Sequence, residues 1–429
     1  MKNNYLFLVK AITTVFGSNV HDVSSAKKLS KEIEIATNSS VSYNSIRRIF
    51  GLIKTEQTSY HLKTLNTLSR YSGFENFAVH EKHSKNYKRW KLINSICYAN
   101  YKIEKFKELK LALQSELKRN PEAIMLLGLL TNKLLHQKKE KQLIDLYSIE
   151  LKNIYSPGML MSVTNCCNLM ATSLRQHSFR DSNTLKALAQ QKKFIQLYVH
   201  HFIDYSKENH NYVALLKNTI DENYTETDTA YKYLFLDTMN FFQGKKLNFK
   251  GLDIPYTKIN NDFVRGRWIA ISYLKNNRNF NLQEFKNRKT IVLGTEVLVF
   301  ALIQNDFTTI EKICTFYESE DLNSINWYYK NEKIIIDLFL SFQLFSKGNE
   351  KEANALFKTI KYIEDSNFQC VEHNTTLYLY FQAILEGPSI ALNAKFNAAK
   401  KNTHLELLQS AQAIALHHYF RGERESKYA

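Results

Sequence analysis

Apolar residues recur along this chain at spacings of three and four, the period of one face of an α-helix. In "YLFLVKAITTVFG", Leu6, Val9, Ile12 and Phe16 fall on one stripe and predict a first helix. "SSAKKLSKEIEIA" puts Ala26, Leu29 and Ile33 on a second stripe, with Ser24 or Ser25 as the expected N-cap. "TNSS" reads as a turn. "VSYNSIRRIFG" then predicts a short helix capped by Ser42, with Tyr43, Ile46, Ile49 and Phe50 inward and Gly51 as its stop. Ser59 is the expected cap of "YHLKTLNTLSRYSGF", where Leu62, Leu65 and Leu68 face inward and Gly73 ends the helix. Residues 1–80 are therefore expected to form a bundle of four or five helices.

The pattern continues as helix pairs. A basic tract, "HEKHSKNYKRWKLI", marks a linker helix over 81–103, with Trp90 expected to anchor it. Pairs then fill 104–420, with Pro121 and Pro157 suited to helix openings, and a charged tail covers 421–429. The clearest pair is "DLFLSFQLFSKGNEKEANALFKTI", residues 337–360. Leu340 and Leu344 line its first helix, Gly348 makes the turn, Ala353 permits close approach and Phe357 fills the gap. The expected class is all-α, a small N-terminal bundle followed by a long α-solenoid of helix pairs.

Composition agrees with that class. Only 4 Pro and 12 Gly punctuate 429 residues, too few for the tight turns of a sheet-rich fold. Apolar residues make up 44%, enough for a large core. The net charge is +17, of which +12 falls on residues 1–120, so an acidic partner is expected there. The five cysteines are odd in number and lack C-x-x-C spacing, which favours reduced thiols over a disulfide framework or a zinc site. Lys10 interrupts the apolar start, so no signal peptide is expected. "TIVLGTEVLVFALI" carries Glu296 and is too short to span a bilayer. A cytoplasmic location, without membrane contact, is the expectation.

Two resemblances follow from these residues. "VSYNSIRR" closing at Gly51, followed by Thr64, Leu65, Leu68 and Gly73, resembles the lambda-repressor-like (Xre-type) helix-turn-helix. The stretch from Leu29 to Val41 and the loop from Gly51 to Ser59 both run longer than that family's. The order of large, Gly, small and aromatic residues in 337–360 resembles a tetratricopeptide-type repeat. Together they resemble bacterial transcription regulators in which a repeat domain senses a ligand and repositions DNA-binding heads. The resemblance implies a DNA-binding regulator, homodimeric, with a peptide or protein ligand on its solenoid. The alternative is an intracellular adaptor whose solenoid binds protein and whose N-terminal bundle is only structural.

The candidate residues are chemically suited to DNA. Around Ser42–Gly51 the outward arc holds Asn44, Ser45, Arg47 and Arg48, with Tyr43 at its edge. Arg forks match guanine edges or phosphates, and Asn matches adenine. Lys54, His61, Lys63 and Arg70 flank them as phosphate contacts, which position without specifying. The bland reading pairs Arg47 and Arg48 with Glu32 or Glu34 on a solvated surface. On the solenoid, Arg265 with Trp268, and Asn326 with Trp327, Tyr328 and Lys333, suit an extended peptide; inter-helix packing is the competing reading. The pairs His200–His201 and His417–His418 point about 100° apart in a helix and do not form a metal clasp. No phosphate loop, nucleophile elbow or zinc-protease motif occurs, so neither catalytic residue nor cofactor is expected.

Overall fold

The computed structural model describes residues 5–53, 60–98, 102–120, 123–149, 166, 169–170, 173–179, 181–200, 205–276, 291–319, 330–365 and 370–428, without the side chains of 85–88, 103, 119, 291 and 422–428. These residues are helical and contain no β-strand. Their one extended contact is an isolated antiparallel bridge between Ser206 and Thr403. No described helix is long and apolar enough to cross a membrane. The chain divides into two compact units, Met1–Tyr101 and Lys102–Ala429.

The first unit contains α1 (Leu6–Phe16), α2 (Val23–Thr37), α3 (Tyr43–Ile49), α4 (Leu62–Tyr71) and α5 (Phe77–Tyr98). One core joins Leu8 and Ile12 of α1, Ala26, Leu29 and Ile33 of α2, Ile46 and Ile49 of α3, and Leu65 and Leu68 of α4. Two expected inward residues lie elsewhere. Leu6 and Leu62 each open their helix and are 47% and 63% exposed, and α1 buries the Leu8–Ile12 line instead. The start of α2 also differs from expectation. Asp22 is its N-cap: the carboxylate accepts from the Ser25 backbone N–H at 2.7 Å, and the Ser25 hydroxyl accepts from the Asp22 N–H at 3.1 Å. This reciprocal box satisfies two donors that a lone serine could not.

In the second unit, the helices that matter below are α6 (Glu226–Phe242), α7 (Asp262–Lys275), α8 (Thr295–Ile303), α9 (Lys330–Ser346), α10 (Glu350–Lys358) and α11 (Val371–Leu385). The pair α9–α10 forms as the sequence pattern predicts. Gly348 turns the chain at φ +95°, Ala353 and Phe357 are buried, and the Phe357 ring stacks on Tyr378 of α11 at 4.5 Å. Close approach also governs α7, where a Cβ at Gly266 would lie 2.7 Å from the Val292 carbonyl oxygen. Only glycine lets the backbone of residues 291–293 come so near.

The interior of this unit is not purely apolar. Arg267 of α7 is 1% exposed and donates to Glu296 of α8 through Nε at 3.0 Å and Nη2 at 2.7 Å. Nη2 also donates to the Tyr205 hydroxyl, which in turn donates to Glu296 Oε1 at 2.7 Å. The guanidinium sits over the rings of Phe235 and Tyr231, at 5.3 and 5.5 Å. A charge this deep persists only when paired and hydrogen-bonded, as here.

Candidate nucleic-acid interface

Both ends of α3 are chemically fixed. The Ser42 hydroxyl accepts from the Ser45 N–H at 3.1 Å, as the sequence predicts. At the other end Gly51 takes φ +76°, its N–H donates to Arg48 O at 3.1 Å, and the Leu52 N–H donates to Arg47 O at 2.8 Å. That is a Schellman closure, which needs a residue tolerant of the left-handed region at Gly51. The same closure ends α4, through Gly73 at φ +86° with Phe74 N–H on Ser69 O.

The turn before α3 shows where the extra residues of the stretch between Leu29 and Val41 go. Most are absorbed by α2, which runs on to Thr37, leaving five residues from Asn38 to Ser42. Asn38 reverses the chain at φ +51°. Val41 is buried, and its carbonyl accepts from the Ser30 hydroxyl at 2.6 Å, which ties the turn back to α2.

With Ile46 and Ile49 inward, Asn44 and Arg48 are exposed, while Tyr43, Ser45 and Arg47 are half-buried. Lys27 lies over the Tyr43 ring at 5.4 Å. Arg47 Nη1 donates weakly to Asn44 Oδ1 at 3.4 Å, so these two residues share one patch. The pairing with acids that the bland reading offered does not form: among the described residues no ion pair joins Arg47 or Arg48 to Glu32 or Glu34. Glu32 instead accepts from the Tyr71 hydroxyl at 3.0 Å. Burial, helped by that acceptor, pushes the Tyr71 phenol up to about 12. Burial and Tyr5 raise the Tyr60 phenol, and Arg48 lies close enough to oppose them.

The flanking candidates are spread more widely. His61 and Lys63 are exposed at the start of α4. Arg70, at its far end, reaches the Ser39 hydroxyl at 3.4 Å and so faces the turn before α3. Lys54 lies outside the described residues. On α5, Leu92 and Ile96 are buried and Trp90 is 60% exposed. Residues 1–101 carry 15 Lys and Arg against 6 Asp and Glu, so the whole unit attracts anions.

The second unit's candidates are engaged internally. Trp268 donates from Nε1 to Ile254 O at 3.1 Å and packs edge-on against Tyr256 at 5.4 Å. Arg265 pairs with Asp262 at 3.3 Å and also lies over Tyr256. Asn326, Trp327 and Tyr328 lie outside the described residues, and Lys333 pairs with Asp337. His200 is buried 3.1 Å from Asp228, while His201 is outside the described residues. His417 donates to Ile384 O at 2.7 Å, and His418 is exposed. Among the described residues no three His, Cys, Asp or Glu side chains gather to hold a metal ion. Sequence reasoning missed Arg267, Glu332 and His373, all buried in this unit. No local pattern sets them apart from solvated charged or imidazole residues on the same helices.

No family model, no curated protein and no solved structure matches this chain.

Proposed function

We propose that this chain is a DNA-binding transcriptional regulator, with α2 and α3 acting as a helix-turn-helix and α3 entering the major groove. The observation that supports the reading is the exposed Asn44–Arg48 side of a helix fixed at both ends, whose two arginines form no ion pair among the described residues. Arg48 and Asn44 read base edges, Arg47 and Tyr43 support them, and His61, Lys63 and Arg70 take phosphates. A seven-residue helix is only about 10 Å long and covers few base pairs. Two copies on a two-fold site supply the missing contacts, which is why we read the regulator as a homodimer. The second unit is the tetratricopeptide-like solenoid that receives the regulating ligand or protein.

The test compares the full chain with Arg47→Ala/Arg48→Ala on a pool of genomic fragments across a salt series. A regulator shows a steep salt slope, and the double variant loses both part of that slope and its sequence preference. Equal weak binding to every fragment, unchanged by the substitutions, sinks the DNA reading and leaves the adaptor.

A further inference from the structure

A cavity of ≈ 40 Å³ lies inside the second unit, bounded by residues of α6, α7, α8, α9 and α11. Phe242, Phe263 and Val299 supply apolar wall, and Glu296, Glu332 and His373 supply polar wall. Glu296 is committed to Arg267 and Tyr205. Glu332 has a hydrogen bond to its own backbone N–H and no ion pair among the described residues. It is 7% exposed, and its Oε2 has no hydrogen-bond partner among the described residues. His373, 4% exposed, likewise has no partner there for Nδ1; its ring packs beside both Tyr205, at 4.9 Å, and Phe242, at 5.9 Å.

A buried carboxylate oxygen without a donor is a defect unless something brings one. The nearby groups do not. Burial holds His373 neutral, down to about 3, so it supplies no charge. Burial, helped by Glu296, pushes the Glu332 carboxyl up to about 7, as befits an acid with no cation beside it. A guest with N–H donors satisfies both acceptors, and a positive charge on it would pair with the ionised form of Glu332. Space sets its size. A water-sized group needs about 10–15 Å³, so the cavity admits about three non-hydrogen atoms. With no metal-holding group of side chains among the described residues, the guest is organic.

We propose that this cavity binds the ammonium group of a small primary aliphatic amine, with Glu332 Oε2 and His373 Nδ1 as acceptors and the short alkyl part against Phe242 and Phe263. The inference rests on the second unit alone and does not depend on DNA binding.

Ethylammonium, with three non-hydrogen atoms, is the probe. The full chain is titrated with it by calorimetry and followed by thermal melting, with potassium and tetramethylammonium at equal ionic strength as controls. Binding and a raised melting temperature are expected for ethylammonium, and neither beyond the salt effect for the controls. Glu332→Gln should weaken binding by roughly 30-fold, the loss of one buried charge pair. Val299→Leu keeps the carboxylate but fills the space, and should weaken binding as well. The melting of each variant without amine establishes that it is folded. Ethylammonium binding no tighter than either control overturns the proposal, as does unchanged affinity in either folded variant. If Glu332→Gln does not fold, Val299→Leu alone decides.

Discussion

Arg267 and Glu296, twenty-nine positions apart, share a buried ion pair in which the guanidinium donates through two nitrogens to one carboxylate. Neither charge could stay inside without the other. Arg267→Met leaves Glu296 and the Tyr205 hydroxyl facing an apolar side chain, and is expected to cost about 3–5 kcal/mol of unfolding free energy. The double variant Arg267→Met/Glu296→Leu removes both charges and should cost less than the single one. Urea unfolding of the three proteins, followed by far-ultraviolet circular dichroism, measures this. A single-variant loss under about 1 kcal/mol contradicts the account.

Such a pair explains what could be read from the sequence and what could not. The stop at Gly51, the Ser42 cap and the Gly348–Ala353–Phe357 order depend on residues close together in the sequence, so local spacing carries them. The Arg267–Glu296 pair depends on two helices meeting, and no local pattern encodes that. Glu296 stood out as a charge within an apolar run, but its partner could not be named. The cap of α2 failed for another reason. Asp22, Ser24 and Ser25 all suit the role, and only the backbone turn decides that Asp22 leads and Ser25 answers it. For the interface, the sequence named Arg47 and Arg48, while only the meeting of α2 and α4 shows that Glu32 is taken by the Tyr71 hydroxyl and not by an arginine.

The closure of α3 makes Gly51 the residue on which that helix's end depends. At φ +76° any L side chain is strained, and Gly51→Ala is expected to cost about 1–2 kcal/mol locally. The open groups would be Arg47 O and Arg48 O, both inside the proposed interface. Hydrogen exchange by mass spectrometry over residues 43–53 should accelerate about tenfold. Unchanged protection in Gly51→Ala would show that the closure contributes nothing.

His80 gives the first unit a predictable response to acid. Its ring is 3% exposed among Phe74, Phe7 and Phe77, at 4.8, 5.3 and 6.0 Å, and neither nitrogen has a hydrogen-bond partner among the described residues. Burial lowers its affinity for a proton below the ordinary 6.5, with His83 acting the same way and Glu81 opposing. The folded unit therefore prefers neutral His80, whereas the unfolded chain takes up a proton near pH 6.5. Stability from this group is complete above that pH and is lost as pH falls below it. Hydrogen exchange over residues 77–84 should show opening that grows from pH 7.5 to 5.5. His80→Leu, which cannot be protonated, should flatten that growth; an identical pH response in the variant removes His80 as its cause.

Glu332 predicts the opposite slope in the second unit. Its carboxyl is raised from 4.5 to about 7 by burial and by Glu296 on α8, while His373 on α11 stays neutral and offers no compensating charge. The folded protein thus holds the proton more tightly than the unfolded chain does. The sign follows: this group's contribution is complete below pH 4.5, declines as pH rises, and is gone above about 7. A rise of that size corresponds to a penalty of up to about 3 kcal/mol once the carboxylate is charged and unpaired. Glu332→Gln removes the charge while keeping the shape, so it should stabilise the chain at pH 8 and leave it nearly unchanged at pH 4.5. Urea midpoints of wild type and variant, measured at both values, give the answer directly. A variant destabilised at pH 8 would mean that Glu332 already has a cation in the folded chain, and that the cavity needs no guest to neutralise it.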